Sequence, residues 1–174
     1  MTGLQIKAAV ELYIDDTLES TNVLTAINEA ISIIGDMALV FDKVESDYKA
    51  NMWYPLPAGC TYVDEVNICD GTNSVYTGYR IKGNEILFGS SNRYIINYRR
   101  QPRGIASLND TPEIHEAYHQ PIVTYVKGWV RLVDDEDSND GLRLMAQWEK
   151  DIQRVYNMLK RKRSPKQVMV MRHA

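Results

Sequence analysis

The sequence predicts an α+β protein, mainly an α-helical bundle with an antiparallel β-rich insertion and an extended C-terminal arm. Apolar residues recur every three or four positions towards both ends of the chain, as on one face of a helix, but alternate with polar residues in the middle third, as along a strand. Pro165 ends the last helical pattern. The predicted segments are the N-terminal helices of the bundle at 1–43, the β-rich insertion at 44–110, a C-terminal helical pair completing the bundle at 111–164 and the arm at 165–174.

Two helices are predicted in the first segment. The first is short and amphipathic, over 4–14, with Ile6 and Val10 on its apolar face and Lys7 and Glu11 opposite. The second has the more regular pattern, and its apolar stripe consists of Val23, Leu24, Ile27, Ala30, Ile31, Ile34, Met37, Ala38 and Phe41. Ser20 or Thr21 can cap its start.

The middle third has the two-residue period of strands. The stretch "DYKANMWYPLP" alternates and predicts one strand, and "RYIINYRR" predicts another. Between them, "VYTGYRI" and "ILF" are separated by a Gly83-Asn84 turn, where both residues tolerate the positive φ angles of a hairpin. The middle third is therefore predicted to be a small antiparallel sheet.

Helical periodicity returns at Thr111-Pro112, a capping residue followed by proline at the first helical position. The acidic link "DDEDSNDG" separates this helix from the last one, which Asn139 or Asp140 can cap. Because the link is short, the two helices should pair antiparallel. Gly128 weakens its helix by roughly 1 kcal/mol relative to alanine, and close packing of the neighbouring helix would explain it.

Composition excludes several classes of protein. The 174 residues are 44% hydrophobic and 25% charged, as in ordinary globular proteins, and a net charge of -3 disfavours a surface that binds nucleic acid all over. Cys60 and Cys69 are too few for a disulfide scaffold, which favours a reducing compartment. No basic leader and no apolar run of membrane length is present, so we expect a soluble protein made in a cytoplasm, without a membrane anchor.

The stretch "HEAYH" matches the His-Glu-x-x-His pattern of zinc hydrolases, in which His115 and His119 would bind the metal and Glu116 would be the general base. Two observations disfavour this alternative. Pro121 is expected to kink the helix just after the second histidine, and no further histidine that could be the third zinc ligand occurs before His173. The sequence therefore favours a protein with no catalytic residues, no metal and no other cofactor. A zinc-dependent hydrolase is the alternative.

The acidic link also has a partial likeness to a calcium-binding loop. Starting at Glu136 would put Gly141 in the sixth place of an EF-hand, but Gln147 then stands where a bidentate glutamate is required. The mismatch favours a solvated turn between helices.

Basic residues are concentrated where the last helix ends. Cations there complement the helix dipole and can also contact an acidic partner or nucleic acid. The following "QVMVM" alternates and can add as a strand to the sheet of a partner. The predicted docking arm comprises Lys160, Arg161, Lys162, Arg163, Lys166, Val168, Val170 and Arg172. A cytosolic module that binds nucleic acid through this basic end is a second alternative.

Three longer phrases occur in a familiar order: "LTAINEAISIIGD", then "MWYPLPAGCTYVDEV", then "INYRRQPRGIASLNDTPEIHEAYHQPIVTYVKGWV" before the acidic link and a long helix. They contain three short motifs, at 54–57, 98–102 and 112–119. In this order, and over nearly its whole length, the chain resembles the head-tail adaptor (connector) proteins of tailed bacteriophages. The resemblance assigns Tyr118 and His119 to the packing of a helix start.

The resemblance implies a helical bundle with a β-rich insertion that assembles as a homo-oligomeric ring, typically dodecameric, below the portal protein of the capsid. Such a ring lies in the neck of the virion after assembly in the host cytoplasm, extends the DNA channel without binding DNA specifically, and offers a platform for tail or nozzle proteins. Its C-terminal segments reach into the portal, in agreement with the predicted arm. Because acidic groups repel DNA phosphates, we expect some of Asp134, Asp135, Glu136 and Asp137 to face the channel or its rim.

Overall fold

The computed structural model describes residues 1–71 and 74–163, with the main chain alone at positions 162 and 163. This part of the chain contains four α-helices and two small antiparallel sheets, so the predicted α+β class is confirmed. The chain divides into two compact units. The helical unit is formed by Met1–Met37 and the residues from Gly104 onward, and the β unit is Ala38–Arg103, where the sequence predicted 44–110.

The N-terminal helices are α1, Gly3–Ile14, and α2, Ser20–Ile34. A capping box starts α1, because the Thr2 hydroxyl accepts from the Gln5 N–H and the Gln5 side chain accepts from the Thr2 N–H. The predicted cap of α2 is wrong, because Ser20 is already helical. The N-cap residue is Glu19, and its side chain forms no capping hydrogen bond. Gly35 takes φ 22° and ends α2. The predicted stripe therefore stops before Phe41, which lies in a strand and is exposed.

The β unit contains β1 (Val40–Tyr48), β2 (Trp53–Pro55), β3 (Cys60–Ile68), β4 (Tyr79–Lys82), β5 (Glu85–Phe88) and β6 (Asn92–Arg100). The prediction of one small sheet is wrong, because the described strands form two three-stranded sheets, in the orders β1-β6-β3 and β2-β5-β4. The core of this unit is aromatic and β-branched. Its buried members are Val66, Ile86, Phe88, Tyr94, Ile96 and Tyr98, and the rings of Phe88 and Tyr94 stack with centroids 4.3 Å apart.

The strand predictions have mixed outcomes. The β4–β5 hairpin is confirmed, although β4 begins only at Tyr79 and, of the two turn residues, Gly83 takes a positive φ of 59° and Asn84 does not. The strand β6 is confirmed along its length. The single strand predicted for "DYKANMWYPLP" is wrong, because Asn51 takes φ 58° in a turn that separates β1 from β2. No strand was predicted at β3. Its register against β6 shifts between Cys60 and Tyr62 and again between Val63 and Glu65, and such bulges break the alternation by which strands are detected.

The C-terminal helices are α3, His119–Asp134, and α4, Asn139–Arg163, with a short 3-10 helix, Glu116–Tyr118, before α3. The antiparallel pairing is confirmed, since Tyr125 packs on Trp148 at 4.8 Å between ring centroids. The predicted helix start at 111–112 is wrong. Pro121 falls in the first turn of α3, where a backbone N–H has no intrahelical partner, so the predicted kink has no cause.

The segment between the β unit and the 3-10 helix is attached to the N-terminal helices. The Asn28 side chain in α2 accepts from the Ile105 N–H at 2.8 Å and donates to the Ile105 carbonyl at 3.0 Å. The N–H of Leu4 donates to the Leu108 carbonyl at 2.7 Å. These bonds satisfy main-chain groups of a segment that has no regular structure of its own.

Candidate functional site

The long helix α4 places the two predicted functional regions at its opposite ends. Its 25 residues span about 37 Å at 1.5 Å per residue. The acidic link precedes its first residue, and the basic cluster occupies its last turns. Each sign of charge lies at the helix end whose dipole it complements, so this distribution also stabilises α4.

All four residues of the predicted acidic site, Asp134, Asp135, Glu136 and Asp137, are exposed to solvent. Asp134 is the last residue of α3, and the Asp135 carboxylate accepts from the Asp137 N–H at 3.2 Å. The predicted cap of α4 by Asn139 or Asp140 is wrong. The Ser138 hydroxyl caps the helix instead, because it accepts from the Gly141 N–H at 3.3 Å.

A polar cluster that the sequence did not predict joins α1 to the start of α4. The Tyr13 hydroxyl donates to the Asp140 carboxylate at 2.7 Å, and Arg143 donates to the same carboxylate at 2.7 Å. The Lys127 ammonium lies 4.4 Å from the centroid of the Tyr13 ring. The bond from Arg143, and then that from Tyr13, lowers the pKa of Asp140. The contact of Tyr13 with Asp140 had no signal in the sequence, because the two residues are 127 positions apart.

The predicted arm is described only at its beginning. Lys160 and Arg161 are exposed on α4, and the Lys160 ammonium lies 5.9 Å from the ring centroid of Tyr156. The helix continues through Lys162 and Arg163. The remaining arm residues, Lys166, Val168, Val170 and Arg172, lie outside the described residues, as does the whole segment 165–174.

The two histidines of "HEAYH" do not lie on one α-helix. His115 precedes the 3-10 helix with ψ 136°, and its Nδ1 accepts from the Ala117 N–H at 3.1 Å. His119 is the first residue of α3, only 6% exposed, and its Nδ1 accepts from the Met1 amino group at 2.7 Å. Burial, and secondly the positive charge of Met1, lowers the pKa of His119.

A zincin requires both imidazoles on adjacent turns of a rigid helix, with a third ligand beside them. Here the helix begins only at the second histidine. Within residues 1–71 and 74–163, no group of three or more histidine, cysteine, aspartate or glutamate side chains is placed to hold a metal ion. The described residues therefore do not form the arrangement that the zinc alternative needs.

An open groove of about 930 Å³ lies between the start of α3 and the C-terminal half of α4. It is lined by Ala117, Gln120, Pro121, Asp151, Arg154, Val155, Asn157, Met158 and Arg161. The Asp151 carboxylate already accepts from the Gln147 side chain at 2.9 Å. Neither Arg154 nor Arg161 forms an ion pair with any carboxylate that the structure describes. The groove therefore combines apolar side chains with two unpaired guanidinium groups.

Large apolar side chains are exposed on both units. On the helical unit Leu12 is 87% exposed, Val133 61% and Leu142 53%. Tyr13 and Asp140 bring the end of α1 to the start of α4, so these three residues lie near the same end of the unit. On the β unit the most exposed are Phe41, Tyr62 and Val75. Exposed apolar side chains mark an interaction surface where they lie together in one patch.

Comparison with known proteins adds no identity to this description. No protein-family model matches the chain, and no curated protein matches it. None of the helices described here is both long and apolar enough to cross a lipid bilayer. The geometry above and the pattern of the sequence are the basis for a functional proposal.

Proposed function

We propose that this chain is the subunit of a head-tail adaptor ring in a tailed bacteriophage. The ring binds the portal protein, extends the DNA channel and provides a platform for tail components. It is a structural protein that catalyses no reaction and requires no cofactor. It acts in the virion neck.

The observation that carries this proposal is the exposure of large apolar side chains on both units. Leu12, at 87% exposed, and Tyr62, at 57%, belong to different compact units. A head-to-tail ring needs two different surfaces on every subunit, each complementary to the other. A chain with exposed apolar side chains in two separate places has the material for both surfaces.

Two further features support the proposal. The order of helices, inserted β unit and long helical pair is the order that the adaptor resemblance implies. The long helix α4 separates an acidic end from a basic end by about 37 Å. One end can therefore contact a partner such as the portal while the other faces a different environment.

The decisive experiment is electron microscopy of the purified chain with and without the portal ring of the same phage. We expect additional density with rotational symmetry on one face of the portal ring. A portal ring that stays bare at tens of micromolar adaptor would refute the proposal. Bovine serum albumin at the same concentration is the control for non-specific attachment.

The arm is tested by deleting residues 165–174. We expect the shortened chain to keep the helical signal of its circular dichroism spectrum, because the deleted residues follow the described end of α4. Attachment to the portal should be lost. A chain of the same composition with these ten residues in scrambled order distinguishes specific docking from simple charge attraction. Full attachment of the deleted chain would contradict the role of the arm.

The acidic link is proposed to face the channel or its rim. In a map of the assembled ring, at least some of Asp134, Asp135, Glu136 and Asp137 should lie on the inner surface, where their charge repels DNA phosphates. If all four lie on the outer wall, this part of the proposal is wrong.

A further inference from the structure

The groove beside α4 has the chemistry of a binding site for an acidic, apolar segment. Pro121, Val155 and Met158 supply apolar surface. Arg154 and Arg161 supply positive charge, and neither forms an ion pair with a described carboxylate, although Asp151 also lines the groove. A ligand that filled the groove would bury apolar area and place carboxylates near both guanidinium groups, which bind carboxylates with good geometry.

The turn between α1 and α2 has the complementary chemistry. Leu12, in the last turn of α1, is 87% exposed. Asp15, Asp16 and Glu19 follow it within seven positions, and all three are exposed. None of these carboxylates forms an ion pair within the described part of the chain. The turn thus presents one protruding apolar side chain with acidic groups around it.

A single chain does not bring these two features together. Tyr13 bonds to Asp140, so the turn lies at the end of the unit where α4 begins. The groove starts at Asp151, which lies 11 residues after Asp140 in α4 and therefore about 17 Å from it along the helix axis. The turn of one chain can therefore reach this groove only in another chain, and such a contact is head-to-tail.

We propose that the α1–α2 turn of a second copy occupies the α4 groove. Leu12 of that copy enters the apolar part of the groove, and its Asp16 and Glu19 lie against Arg154 and Arg161. The inference rests on the proposed ring and names one contact between its subunits. The chain's own segment after α4 is the poorer occupant, because Lys166 and Arg172 would bring more positive charge to the two arginines.

The test measures self-association of the full chain by sedimentation equilibrium in low salt. Two variants reverse the charges separately: Asp16→Lys with Glu19→Lys, and Arg154→Glu with Arg161→Glu. Each alone should weaken association at least tenfold, whereas an equimolar mixture of the two should associate again, because each turn then meets a groove of opposite charge. Leu12→Ser should also weaken association, and thermal unfolding should not change, since the side chain is exposed in the single chain.

The matched control is Asp47→Lys with Glu85→Lys, which makes the same change in net charge on two exposed residues outside the turn, the groove and the acidic link. The inference predicts that this control associates as the wild type does. It is overturned if the control weakens association as much as the turn variant, if the mixture does not recover, or if the wild type stays monomeric at millimolar concentration. If any of these results is found but electron microscopy shows symmetric density on the portal ring, the contact between turn and groove is excluded and the adaptor function is still supported.

Discussion

Asn28 is expected to be a main support of the segment that follows the β unit. Its side chain makes two hydrogen bonds to the main chain of Ile105, a residue only 6% exposed. Each bond contributes about 1 kcal/mol, and a main-chain group left buried without a partner costs about 1–3 kcal/mol. Replacing Asn28 by alanine should therefore lower the free energy of unfolding by about 2–4 kcal/mol.

The assay is urea unfolding followed by tryptophan fluorescence in a Trp53→Phe background. The remaining tryptophans, Trp129 and Trp148, both lie in the helical unit. With a slope of about 2 kcal/mol per molar urea, the midpoint should fall by roughly 1–2 M. Asn22→Ala is the control, because Asn22 is an exposed residue of the same helix and its loss should change stability by less than about 0.5 kcal/mol. If Asn28→Ala has the same urea midpoint as this control, the two hydrogen bonds do not stabilise the segment.

Two further predictions concern the helical unit. Burial lowers the pKa of His119 in the folded chain from its usual 6.5. At pH values below 6.5 the unfolded chain therefore binds more protons than the folded chain. The free energy of unfolding should fall as the pH drops from 6.5 through the lowered pKa. In His119→Gln the loss between pH 7.5 and pH 5 should be smaller, and equal losses in urea titrations of both chains would contradict this. A Cβ at Gly128 would lie 2.9 Å from the Met145 sulfur and 3.2 Å from the Leu144 Cβ, so Gly128→Val should cost about 1–3 kcal/mol. An unchanged thermal midpoint for that variant would show that α3 and α4 do not pack closely there.

Periodicity predicted the helices well where one face is buried. Ile27 and Ile31 in α2, and Ile122 and Val126 in α3, are completely buried at the expected spacing. The ends of the helices were predicted less well, because the residue at which a helix starts or stops is set by one or two residues and not by the repeating pattern. Gly35 stops α2 where the apolar stripe still continues, and Pro121 is compatible with a helix because it falls in the first turn.

The candidate sites were predictable to the extent that they depend on charge. The acidic link is exposed as its composition suggests, and the basic residues follow at the other end of α4. The groove beside α4 was not predictable, because Pro121 and Met158 are 37 positions apart and only the helix pairing brings them together. The same reason hid the contact of Tyr13 with Asp140, which depends on three elements meeting at one end of the unit.

The register of the β unit bears on how proteins of this architecture can diversify. Val40, the first residue of β1, pairs directly with Arg100, the last residue of β6, so the chain enters and leaves the β unit at neighbouring points. A segment with adjacent ends can be lengthened, shortened or exchanged between related proteins without separating the flanking helices. The β unit is thus a place where length and sequence can change while the helices keep their packing.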